Sequence, residues 1–193
     1  MVQNLQVPLI LSRTTDPQAL GYIASSFGVG VLLGGLYMTT TGGVRPRVHG
    51  VFAGIGLASL LGMALFGVAQ SMPLWMLANF FAGFFLPILN GSSQSIWQAK
   101  TPPDIQGRVF TARRQIAQFT TPIAFVMAGP LTDLVFKPAF NHADSWAWLL
   151  GGSSGRGYAA MFVLFGLLGF VWGFAGYLRP AARNVERDIA DAS

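Results

Sequence analysis

Read for its apolar and polar positions, the chain divides into long uncharged runs separated by short charged clusters. Nothing is charged between Asp16 and Arg45, and residues 17–40 read as one apolar helix that starts on a helix-compatible Pro and stops at Thr39-Thr40-Thr41-Gly42-Gly43. From Val48 to Ala99 the only ionisable residue is His49. At about 1.5 Å rise per residue that run is too long for one crossing of a roughly 30 Å hydrocarbon core, so it must fold back once. The turn signal is Gln70-Ser71-Met72-Pro73, giving a second span at about 48–70 and a third at about 74–98. A fourth runs from about 109 to 135 and a fifth from about 157 to 178, ended by Arg179-Pro180. Gly129-Pro130-Leu131-Thr132-Asp133 reads as the end of the fourth helix with a solvated carboxylate. The expected fold is therefore all-α, a polytopic helical membrane bundle.

Composition decides against the soluble alternatives. Hydrophobic residues make up 52% of the 193 and charged residues only 10%, against roughly 25% charged in soluble domains. A soluble enzyme, a nucleic-acid-binding domain and a disordered chain are all excluded on that ground. Nor does the formal charge of +5 mark a nucleic-acid partner, because the basic residues sit in clusters between spans rather than along one patch. They do report orientation. Arg45, Arg47, Lys100, Arg108, Arg113, Arg114, Arg179, Arg183 and Arg187 collect on one side of the five-span scheme, with Arg13, Lys137 and Arg156 on the other. Short cytoplasmic loops retain Lys and Arg, so the first side, with the tail at 180–193, is expected in the cytoplasm. Residues 1–12 have neither the basic start nor the long apolar core of a secretory signal. Trp146 and Trp148 in the long loop 136–156 suit an aromatic belt at the opposite interface.

The spans differ in polarity. The second and fifth are apolar all round, with Gly50/Gly54 and Gly169/Gly173 spaced to let a neighbouring backbone approach, as are Gly30/Gly34 in the first. The third places Asn79, Asn90, Gln94 and Gln98 near one face beside Gly83 and Gly91, with Pro87 expected to interrupt the helix; the fourth carries Gln115, Gln118 and Thr121. Polar groups in hydrocarbon point into protein or water, which makes these seven candidates for a substrate cavity. Interhelical hydrogen bonding, about 0.6 kcal/mol on average, is the competing role for each. Arg113 and Arg114 point about 100° apart on a helix; they either snorkel at the cytoplasmic end or supply part of an inner gate.

Little other chemistry is legible. No acid lies in the middle of a span, so a proton-coupled cycle would draw its carboxylate from elsewhere. There is no GxxxxGK[ST] loop, no Cys, and His49 and His142 fall on opposite sides. Neither a catalytic residue, a metal site nor a cofactor is expected, and the chain is not read as an enzyme.

The order polar, apolar, polar, polar, apolar resembles helices eight to twelve of the major facilitator superfamily. The loop Gly42-Gly43-Val44-Arg45-Pro46-Arg47 sits where that superfamily has its second basic loop motif, with Gly35 at its first position and Thr39 where an acid would stand. The run Leu86-Pro87-Ile88-Leu89-Asn90-Gly91-Ser92-Ser93-Gln94, then Pro102-Pro103-Asp104-Ile105-Gln106-Gly107-Arg108 and Ala112-Arg113-Arg114, is similar to the bacterial macrolide and enterobactin exporter branch, and the likeness continues to Arg183-Asn184-Val185-Glu186. It implies a secondary active efflux transporter, an antiporter working by alternating access on a bulky amphipathic substrate such as a drug, macrolide or siderophore. Arg45, Arg47, Asp104, Arg108, Arg113 and Arg114 become gating or loop candidates, and residues 1–16 the end of helix seven with its outer loop. Such transporters have two six-helix halves, so the resemblance also implies an N-terminal half, covalent or separate, besides lipid and substrate as partners. A non-transport helical subunit of another membrane protein is the alternative.

Overall fold

The computed structural model describes residues 5–14, 16, 18–141, 144–152 and 155–188; Pro17, His142 and the tail from 189 lie outside that set. Among the described residues all regular structure is helical. In chain order the helices are α1 (Gln6–Leu11), α2 (Gln18–Thr41), α3 (Arg47–Val68), α4 (Met72–Lys100), α5 (Gln106–Phe140), α6 (Ala147–Leu150), α7 (Arg156–Leu178), α8 (Pro180–Arg183) and α9 (Val185–Asp188). Five of them, α2, α3, α4, α5 and α7, are long and apolar enough to cross a membrane.

Two helix signals in the sequence act differently from expectation. Pro87 does not interrupt α4, which runs through it for 29 residues. A proline removes one donor and crowds the carbonyl four residues back; here that residue is Gly83, whose missing side chain is taken up by α2. Likewise α5 does not end at Gly129–Asp133. A π-helical turn over Thr132–Phe136 carries it on to Phe140, and the exposed Asp133 pairs with Lys137 one turn later at 2.6 Å.

Glycine seams set the packing order α2, α4, α3, α7. A Cβ on Gly83 of α4 would overlap the Phe27 carbonyl of α2, and Gly30 and Gly34 of α2 meet the Phe80 and Phe84 backbone in the same way. On the other side of α4, a Cβ on Gly54 would lie 3.0 Å from Leu89 Cβ and one on Gly62 2.8 Å from Ala82 Cβ. Between α3 and α7, a Cβ on Gly166 would stand 2.7 Å from that of Ala64, and Gly173 faces Gly56. Backbone proximity of this kind substitutes for the hydrophobic drive that is absent between helices in lipid. Within α3 the stretch Ala58–Ala64 is π-helical.

By contrast α5 stands off. Of Gln106–Leu131 only Ala128 is buried; the helix then touches α7 through its π turn, where Thr132 and Phe136 are buried. Ile116, Phe119, Ile123 and Val126 remain exposed.

Loops at the end opposite the basic cluster are tied by two arginines. Arg13 donates to the carbonyls of Ala69 at 2.7 Å and of Leu150, joining the α1–α2 link to the end of α3 and to α6. Burial pushes its guanidinium below its ordinary pKa, yet arginine stays protonated. The buried Arg156 donates to Gly151 O at 3.1 Å. An Arg13→Ala chain leaves the two carbonyls of Ala69 and Leu150 without that donor. It is expected to lose about 2 kcal/mol, seen in detergent as a fall of about 4–8 °C in Tm; an unchanged midpoint would mean that other contacts hold these loops.

Candidate polar cleft between two spans

The third and fourth spans of the sequence reading, α4 and α5, enclose a cleft of about 630 Å³. From α4 come Asn90, Gly91 and Gln94, one helical turn apart, and from α5 come Phe110, Arg113, Arg114 and Ala117, whose spacing of three and four residues keeps them on one stripe. Because the two backbones stand apart, long side chains bridge them. Arg113 donates to the Ser93 hydroxyl at 2.7 Å and lies 5.2 Å from the centre of the Trp97 ring, a cation–π distance. Ser93 and Trp97 are themselves four residues apart, so one face of α4 presents both halves of the guanidinium's seat. Among the described residues no carboxylate lines the cleft. Its charge is set by two arginines and its hydrogen bonding by two amides, an arrangement that favours a ligand with acceptor groups and apolar bulk.

Asn90, Gln94, Arg113 and Arg114 are thus brought together out of the candidates. Asn79 is not part of the cleft. It is buried in the α2–α4 seam, donating to Ile23 O at 2.9 Å and accepting from Gln6 at 3.1 Å. Its role is interhelical bonding, because close glycine packing at that level leaves no room for a ligand. Gln98 has an exposed side chain, and its carbonyl accepts from Gln106 at 3.1 Å. Gln115, Gln118 and Thr121 are exposed and absent from the lining, with the Thr121 hydroxyl turned back to Ala117 O at 3.2 Å. The stand-off of α5 removes them from α4, although Gln118 shares a helical face with Arg114. Asp104 and Arg108 are exposed at the α4–α5 turn, while Arg45 and Arg47 lie in a second cleft at the basic end.

Three contributors are not singled out by the sequence. Ser93 and Trp97 were unremarked as partners of Arg113, although their spacing opposite an arginine pair was a usable signal. Another is Glu186, one of three acids in residues 180–193, whose carboxylate accepts from Val48 N at 3.3 Å and so caps the start of α3. His49 packs against Tyr177 with ring centres 5.2 Å apart and the rings tilted by 47°, and His142 lies outside the described residues.

No family model, curated protein or solved structure matches the chain.

Proposed function

We propose that this chain is the C-terminal part of a secondary active exporter of the major facilitator type, carrying a bulky amphipathic molecule across the cytoplasmic membrane by alternating access. The observation that carries the reading is the cleft between Asn90 and Gln94 of α4 and Arg113 and Arg114 of α5, a helix with one buried residue between 106 and 131. A membrane-length helix with a polar stripe and so little packing suits the wall of a cavity whose other wall belongs to a second half. Clustering of basic residues at one end of the bundle supports a cytoplasmic placement of that end, with the 42–47 loop, the α4–α5 turn and the tail there. Substrates with oxyanion or carbonyl groups on an apolar frame match the cleft best.

Reconstituted alone in proteoliposomes, the chain is expected to move neither drug nor siderophore along a proton gradient. Joined to, or co-expressed with, an N-terminal six-helix half encoded upstream, it should support efflux. Robust transport by the chain alone would refute the half-transporter reading; an assembled pair that folds and moves nothing would favour a subunit without transport activity.

A further inference from the structure

The second cleft lies at the basic end and is built from three segments distant in sequence: residues 45–47 leading into α3, the last turn of α4, and α9. Lys100 Nζ donates to Glu186 O at 3.1 Å, and Arg47 donates to Ser95 O at 3.2 Å. Together with the bond from Val48 N to the Glu186 carboxylate, these contacts fold the tail back onto the ends of α3 and α4. The enclosed space is about 460 Å³. Among the described residues, four cations, Arg45, Arg47, Lys100 and Arg187, line it with one acid, Glu186. Among the described residues its three arginines, Arg45, Arg47 and Arg187, outnumber that acid, which leaves the cleft a positive bias. Pro46, Ile96 and Ala99 give it an apolar floor.

Its position selects the ligand. The cleft sits where two membrane-length helices end, the level at which lipid headgroups meet protein, and basic pockets between spans take anionic headgroups. Guanidinium groups match phosphate oxygens in a bidentate fork. A soluble anion would need no apolar floor, whereas a glycerol backbone entering beside Pro46 and Ile96 would use it. We propose that this cleft seats the phosphodiester headgroup of an anionic phospholipid, ligated by Arg45 and Arg187. The inference rests on the helices being membrane-embedded and is independent of whether the chain transports anything.

The test uses the full chain purified in a neutral detergent, with lipid retention read by native mass spectrometry. Phosphatidylglycerol should be retained over phosphatidylcholine by about tenfold in apparent affinity. An Arg45→Gln/Arg187→Gln chain, altered at two exposed positions, should bring the two lipids within about twofold, while Lys137→Gln at the opposite end keeps the preference. Inorganic phosphate at millimolar concentration should not displace the lipid. Equal retention of the two lipids by the unmodified chain would overturn the proposal, as would an undiminished preference in the double variant. Displacement by inorganic phosphate would reassign the cleft to a soluble anion and overturn the lipid source.

Discussion

A Gly83→Val chain is expected to lose its assembled bundle. The added Cβ would clash with the Phe27 carbonyl oxygen and come within 3.1 Å of Val31 N. Both atoms are backbone of a packed helix and have no rotamer by which to yield. The seam is also reciprocal: Gly30 and Gly34 admit the α4 backbone as Gly83 admits that of α2. Separating the helices enough for a valine at one point therefore opens contacts along the seam and strains the bond from Asn79 to Ile23 O. Overpacking in a yielding core costs about 1–3 kcal/mol, and the upper end applies where the obstacle is backbone. A loss of about 3 kcal/mol lowers Tm by about 6–12 °C in a chain of this length. Gly35→Val is the control, because a Cβ there meets nothing within 4 Å. Thermal unfolding and size exclusion in detergent would decide; indistinguishable behaviour of the two variants would remove the seam as a determinant of the fold.

The second large effect concerns the polar cleft. In the proposed transporter, assembled with its N-terminal half, Arg113→Ala should reduce efflux about tenfold or more, since a charged hydrogen bond contributes about 1.5–3 kcal/mol and each 1.4 kcal/mol is a decade. The variant removes the cation from between the Ser93 hydroxyl and the Trp97 ring and leaves Gln94 facing an emptied wall. Arg113→Lys keeps charge without the planar fork and should fall between. Gln94→Ala should impair efflux as well, whereas Gln118→Ala should match the unmodified transporter because its amide lies outside the cleft. Full activity in Arg113→Ala, or a defect confined to Gln118→Ala, would move the substrate path elsewhere.

That contrast between Gln94 and Gln118 shows what a linear sequence encodes here. The five long helices were legible because charge is absent from each for most of its length, and hydrocarbon thickness fixes how long such a run must be. The glycine pairs announced close neighbours, and Gly30, Gly54 and Gly173 indeed face other helices at near-contact. Helical phase, however, gives direction without distance. Asn79, Asn90, Gln94 and Gln98 share a face of α4, yet one is consumed by α2, two line the cleft and one faces outward. What separates them is where α2 comes close and where α5 stands away, a property of pairs of helices that no single helix carries. Arg113 is similar: snorkelling was the plain expectation for an arginine at a helix end, and a serine and a tryptophan one turn apart on a different helix recruit it instead.

The π turn at Ala58–Ala64 has a consequence for reading α3 on a helical wheel. Gly50, Gly54 and Gly62 all face α4, meeting Ser92, Leu89 and Ala82 in antiparallel order. In an uninterrupted α-helix, Gly62 would sit about 120° around the axis from Gly50. Bonds to the fifth residue wind the backbone more slowly, and the π-helical residues from Ala58 to Gly62 turn Gly62 back towards the face it would have left. The helix thus behaves as an α-helix with an accommodated insertion, and a wheel drawn at constant pitch scatters into separate sectors three residues that form one line of contact.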